Sequence, residues 1–179
     1  MVLYEDIEAI FANITEEFDA PIPIGGQCES NIFYRTEELS EADLDRCAEY
    51  VVERLEKVST IDSPKVLLKL PGDHSCFAER LVRVYREIVP DAANIVMDDY
   101  SEGAISNGMG EKYRNQPAIL VNDVITTARS TLEAHSKATL RGIPVLCWAT
   151  LIDRTFGPGP VPVVSAFTGA PVRVLTSIG

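Results

Sequence analysis

The stretch Ala118-Ile119-Leu120-Val121-Asn122-Asp123-Val124-Ile125-Thr126-Thr127-Ala128-Arg129-Ser130-Thr131 decides how this chain folds. Residues 118–121 are a short, uninterrupted apolar run, the pattern of a strand buried on both faces. A hydroxyl-rich turn follows, and residues 130–141 then read as a helix that Gly142 stops. Residues 144–151 are apolar again and predict a second strand, completing a strand–helix–strand unit. Such units imply a parallel sheet, with ligands gathering at the carboxyl ends of its strands.

Residues 122–131 stand at such an end. A turn there aims backbone N–H groups and the positive end of a helix outward, while Thr126, Thr127, Ser130 and Thr131 add hydroxyl donors. That is a cradle for an anion, and Asp123 beside it can accept hydrogen bonds from a sugar. An ordinary strand–turn–helix with a hydroxyl-rich cap accounts for the same composition and spacing equally well.

The alternation of strand and helix extends upstream. Residues 65–70 predict a strand, 71–74 a turn, 75–89 a helix ended by Pro90, and 94–98 another strand. Residues 100–116 hold Gly103, Gly108 and Gly110 among polar side chains without sustained periodicity; a functional loop and plain disorder both fit. Nearer the N-terminus, Ile7, Ile10, Phe11, Ile14 and Phe18 share one face of a helix expected over residues 5–18, with Pro21 and Pro23 ending it. Residues 31–35 look extended. Ser40 with Asp43 forms a capping-box variant, ahead of a stripe of Leu44, Cys47, Ala48, Val51, Val52 and Leu55.

Composition narrows the classes. The chain has 179 residues, 46% hydrophobic and 24% charged, which suits one globular domain. A net charge of -11 opposes nonspecific nucleic-acid binding, so a phosphorylated ligand needs a local site. Cys28, Cys47, Cys76 and Cys147 have no paired spacing and only His74 and His135 could join them, so no metal site is predicted, and three of the thiols, set in apolar patterns, read as small hydrophobes. No apolar run is long enough for a bilayer, and residues 1–6 lack the basic-then-apolar pattern of a secretory leader. A cytoplasmic location follows by default.

The quoted stretch resembles the phosphoribosyl pyrophosphate motif of type I phosphoribosyltransferases. The likeness continues in the manner of orotate phosphoribosyltransferases. Upstream, Ser30-Asn31-Ile32-Phe33-Tyr34-Arg35 is similar to that family's hood segment, whose paired aromatics cover the base. Downstream, Leu151-Ile152-Asp153-Arg154 is similar to the strand end whose arginine contacts orotate, and residues 160–178 to the closing strands.

The resemblance implies a single α/β domain over residues 1–179, a three-layer, Rossmann-like parallel sheet with a small N-terminal hood at about residues 20–38 and a core from about 60 onward. It implies transfer of ribose 5-phosphate from phosphoribosyl pyrophosphate to a nucleobase, an orotate-like pyrimidine, with release of pyrophosphate. Mg²⁺ would enter bound to the phosphoribosyl pyrophosphate, and the protein would be a homodimer. The implied ligand contacts are Asn122, Asp123, Thr126, Thr127, Ala128, Arg129 and Ser130 for phosphoribosyl pyrophosphate, and Phe33, Tyr34, Thr126 and Arg154 for the base.

Departures from the family's pattern shape the rest. Asn122 replaces the first of two adjacent acids, and Ala128 stands where glycine is usual. Arg129 reads either as a cation beside the phosphate or as a surface arginine. The segment over residues 99–116 offers Lys112 and Arg114 without the family's Lys-x-His-Gly element, and His74 stands where a lysine is expected. Two readings follow: an enzyme using Asp123, His74 and Lys112, or a catalytically silent protein that senses a nucleotide or phosphoribosyl pyrophosphate. A DNA-binding regulator is disfavoured because no basic winged-helix segment is attached.

Overall fold

The computed structural model describes residues 2–25, 28–58, 64–71, 76–92, 94–100, 108, 110–155 and 157–174. Five parallel strands make the main sheet: β3 (Val66–Lys69), β4 (Val96–Asp99), β5 (Ala118–Ile125), β6 (Val145–Asp153) and β7 (Val163–Thr168). Their spatial order is β4-β3-β5-β6-β7. The chain moves outward from β3 to β4 and then returns to the other side of β3 for β5, so the order reverses between β3 and β5.

Helices cover both faces. On one side α1 (Tyr4–Asn13), α2 (Glu41–Val58) and α3 (Phe77–Ile88) enclose a cluster that includes Phe11, Val51, Leu55, Leu67, Leu81, Ile119 and Val121. On the other, α4 (Arg129–Leu140) packs through Ala134 and Ala138 on Leu68, Leu120 and Trp148. Odd positions of the central strand β5, Ile119 and Val121, thus face the first layer, and even positions Ala118 and Leu120 face the second. Burying each such large side chain stabilises the fold by roughly 1.5–3 kcal/mol. Among the described residues no helix is long and apolar enough to cross a membrane.

A second, antiparallel sheet forms the hood. β1 (Thr15–Gly25) pairs with β2 (Cys28–Tyr34), and β2 pairs with the two-residue β8 (Arg173–Val174). This architecture, a three-layer α/β domain with a small separate hood sheet, is the one the sequence predicts.

Several boundaries differ. The helix expected over residues 5–18 ends at Asn13, where the Ile14 N–H and the Thr15 hydroxyl both take the Phe11 carbonyl. Phe18, expected on that helix, lies in β1, because tertiary pairing with β2 overrides a short helical periodicity. Pro21 and Pro23 lie within β1, which is tolerable because among the described residues β1 is an edge strand with no ladder on its outer side. Between the Glu17–Ile32 and Ile22–Ser30 pairs, four β1 residues stand opposite Asn31 alone, a bulge that hides the two-residue alternation. The strand beginning at Ala118 runs to Ile125, so Asn122 and Asp123 belong to a strand and the turn shrinks to Thr126, Thr127 and Ala128. Gly110–Lys112 forms a single helical turn inside the long connection over residues 100–116. The capping box stands: the Asp43 N–H donates to Ser40 Oγ at 3.2 Å and Ser40 Oγ–H to Asp43 Oδ2 at 2.6 Å.

Candidate functional site

In an open parallel sheet the crevice lies where strand order reverses, here outside the carboxyl ends of β3 and β5. Hydrogen bonds from the Leu70 N–H to the Val121 carbonyl and from the Tyr100 N–H to the Lys69 carbonyl hold those ends together. Lys69 Nζ, 2.6 Å from Glu79 Oε1 in the first turn of α3, ties β3 to that helix.

Ala128 is the pivot of the turn after β5. Its φ of 58° and ψ of 5° are left-handed, and it serves as N-cap of α4 with no side-chain hydrogen bond to the helix end. Its carbonyl takes the Leu132 N–H at 2.7 Å, closing the first turn, so the N–H groups of Arg129, Ser130 and Thr131 have no partner within the helix. They join the positive end of the helix dipole, which suits a phosphate. Thr127, Arg129 and Ser130 are exposed and Thr126 half-buried. Thr131 is 1% exposed, and its hydroxyl has no hydrogen-bond partner among the described residues.

Asn122 and Asp123 are buried at 7% and 8% exposure, and each braces the backbone after itself. The Asp123 N–H donates to Asn122 Oδ1 at 3.0 Å and the Val124 N–H to Asp123 Oδ1 at 2.7 Å. The Thr150 hydroxyl donates to the Asp123 carbonyl, tying the pair to β6. Asn122, Asp123, Thr126, Thr127, Ala128, Arg129 and Ser130 therefore come together as one continuous strand end, turn and helix start.

The residues expected around the base are arranged differently. Arg154, 3% exposed, donates from Nε to the Ala170 carbonyl at 2.6 Å and from Nη2 to Ser30 Oγ at 2.7 Å. Its guanidinium also lies 5.1 Å from the centre of the Tyr34 ring, and burial lowers its pKa. Tyr34 is buried, accepts the Ala170 N–H through its hydroxyl and meets Phe167 edge-on. Gly169 allows this crowding, since a Cβ there would come within 2.9 Å of Ile152 and 3.0 Å of Tyr34. As neighbours in a strand, Phe33 and Tyr34 point to opposite faces of the hood, so the two rings do not form one stacking surface.

Lys112 lies on the helical turn near β4, with Nζ 2.9 Å from Asp98 Oδ2, which also accepts the Tyr113 hydroxyl at 2.8 Å. Burial raises the Asp98 carboxyl, yet hydrogen bonds from Lys112 and Tyr113 outweigh it and hold the group below its ordinary value. His74 lies outside the described residues.

One feature escaped the sequence reading. Parallel neighbours usually need a dozen or more residues to connect, commonly through a helix. β6 and β7 are joined by only the nine residues 154–162, rich in proline and glycine. A cleft of about 240 Å³ opens beside this segment, with Thr126, Thr127 and Ala128 at one end and Trp148 on its lining. The Gly-Pro-Gly-Pro run at residues 157–160 was the available signal for a helix-free crossover.

No family model and no curated protein sequence matches the chain. Solved structures do. Orotate phosphoribosyltransferase of Mycobacterium tuberculosis H37Rv, in complex with Fe(III) dicitrate, superposes with a TM-score of 0.62 at 15% identity, covering 92% of this chain and 95% of that one. An HGPRT-ase from Leishmania tarentolae in complex with GMP gives 0.52 at 16% identity over 72% and 76%. A hypothetical protein from Neisseria gonorrhoeae with bound ppGpp gives 0.57 at 13% identity over 74% and 82%.

Proposed function

We propose that this chain, which has the fold of the type I phosphoribosyltransferases, binds phosphoribosyl pyrophosphate at the β5–α4 turn and transfers its ribose 5-phosphate to a nucleobase, most like orotate. The observation that carries the reading is the uncapped start of α4 behind the left-handed Ala128, which leaves three backbone N–H groups for the 5-phosphate. Thr126, Thr127 and Ser130 add hydroxyls, and Asp123 with Asn122 meets the ribose hydroxyls. The bond from C1 of the ribose to pyrophosphate breaks, and a base nitrogen takes its place at C1.

Asp123 offers one hard carboxylate, which suits a Mg²⁺ that keeps most of its waters and rides on the ligand's phosphates. When bound, the ion neutralises charge on the departing diphosphate. Lys112, and His74 when protonated, are assigned to the same task; Lys112 must first exchange Asp98 for the ligand. A homodimer is part of the proposal.

A second reading, a nucleotide sensor without turnover, is favoured by a different observation. Arg154 and Tyr34 use their polar groups to fasten the hood to the core, and Lys112 is already paired. The GMP and ppGpp in two structures of this fold support a phosphorylated nucleotide as the ligand in that case.

The test is to incubate the protein with Mg²⁺, phosphoribosyl pyrophosphate and orotate, then a panel of other bases, and measure released pyrophosphate. Turnover lost in Asp123→Ala is the expected result. Saturable binding without turnover on any base would leave the sensor, and no binding, with Asp123→Ala indistinguishable from the parent, would end both readings.

A further inference from the structure

The main sheet ends at β7, with no further strand paired to it among the described residues, and α1 and α2 both pack against that strand. Where these three elements meet, a cleft of about 440 Å³ stays open. Val163 and Val164 of β7 line it, with Leu3, Tyr4, Tyr50 and Val58 from the helical side. No residue of β3, β5 or the β5–α4 turn does, so it is separate from the crevice.

The sequence of α2 explains the cleft. One stripe, which includes Leu44, Val51 and Leu55, is buried in the core. A neighbouring stripe of Tyr50, Arg54, Lys57 and Val58, at spacings of four, seven and eight residues, is left to line the cleft. Leu3, Tyr4 and Val58 are 52%, 40% and 38% exposed, so apolar surface is in contact with water here. The Tyr4 and Tyr50 rings lie 6.1 Å apart at 40°, and the Arg54 guanidinium stands 5.4 Å from the centre of the Tyr50 ring and donates to its hydroxyl at 2.9 Å.

The charge at this cleft runs against its surroundings. Through the end of α2 the chain holds fifteen Asp and Glu against four Lys and Arg. Two of those four, Arg54 and Lys57, line the cleft, and neither forms an ion pair among the described residues. Arg35, Arg80 and Arg83, by contrast, each meet a carboxylate. Glu53 is the one acid on the lining, which leaves the cleft with an excess of positive charge. A cavity of about 150 Å³ suffices to hold benzene, so 440 Å³ admits a hydrocarbon body of about ten carbons.

We propose that this cleft binds a small amphipathic carboxylate, its hydrocarbon body on the tyrosine rings and valines and its carboxylate between Arg54 and Lys57. The planar fork of Arg54 suits a carboxylate, and the ammonium of Lys57 adds a second charge one helical turn away. Such a ligand carries neither the phosphate nor the polar ring that the crevice would take, so the inference stands apart from the reading of the β5–α4 turn.

The test compares 2-naphthoate with its uncharged counterpart 2-naphthol, by calorimetry on the whole protein at low salt. The naphthoate should bind saturably and about three-fold or more tighter than the naphthol, the size of effect that exposed ion pairs give. Decanoate should displace it and orotate should not. In the double variant Arg54→Gln with Lys57→Gln the two naphthalene compounds should bind alike, a readout that altered packing alone would not produce. Val58→Glu, at the exposed end of α2, should abolish naphthoate binding, with urea midpoints of both variants near that of the parent.

Absence of saturable binding, equal affinity of the parent for both compounds, or binding that survives Val58→Glu would each overturn the site. Displacement by orotate but not by decanoate would overturn the hydrocarbon-bodied ligand. None of these outcomes touches the phosphate turn, whose own test reads released pyrophosphate.

Discussion

Ala128 holds a backbone conformation that a side chain resists, at a cost of about 1–2 kcal/mol for a non-glycine residue. Glycine would remove that cost while giving up roughly 0.5–1 kcal/mol to its freer unfolded chain. Ala128→Gly is therefore expected to match or exceed the parent by up to about 1 kcal/mol in urea titration, whereas Ala128→Val should lose more than about 1 kcal/mol. Arg154 presents the opposite case, a buried cation that fastens the hood to the core. Arg154→Met keeps the length and removes the donors to Ala170 and Ser30, and hydrogen bonds from charged groups contribute about 1.5–3 kcal/mol each. Urea titration should show a loss of at least about 2 kcal/mol, and amide exchange in β2 should become faster than in β5.

Between elements, the contact of α4 with β6 carries a titration. The Trp148 N–H meets His135 Nδ1 at 3.4 Å, a long bond that requires the imidazole neutral, and burial lowers the pKa of His135. Unfolded, the ring takes a proton near pH 6.5 that the folded protein refuses until lower pH. Its contribution is therefore whole above about pH 6.5 and is lost as pH falls through the folded value. Urea midpoints between pH 7.5 and 5.0 should fall for the parent and fall less for His135→Phe; equal slopes would assign the loss to other groups.

The elements legible in the sequence are those whose pattern and packing agree. β5 and α4 show continuous apolar residues followed by helical spacing, and the structure keeps both, with β5 running four residues past Val121. β1 was illegible because its bulge and two prolines erase alternation, while the spacing of Phe18 mimics one more helical turn. At the site, the order of strand, turn and helix could be read from residue types, but the strand's end at Ile125, four residues beyond Val121, could not. The fastening of Arg154 to Ser30 and of Tyr34 to residue 170 could not, because each joins positions more than a hundred apart and leaves no local signature.

Over the whole molecule, charge is the dominant global term. A net charge of -11 opposes the approach of an anion even where one turn is built to receive it. Screening shortens from about 30 Å at 0.01 M salt to about 8 Å at 0.15 M. Stopped-flow association of phosphoribosyl pyrophosphate should consequently quicken as salt rises over this range, the reverse of a protein whose overall field attracts its ligand; a slowing would show that the local cradle outweighs the global field.

The hood makes a demand on timing during synthesis. β1 and β2 are complete by Tyr34, yet their fastenings come from Arg154, the Ala170 backbone and the short pairing of Cys28 with Val174. On the ribosome the hairpin emerges early and waits, with Cys28, Ser30 and Tyr34 uncovered, while more than a hundred further residues are translated. Its final closure is thus a checkpoint on the whole chain: a nascent protein stopped anywhere before residue 170 carries an unsealed hairpin that chaperones and proteases can recognise.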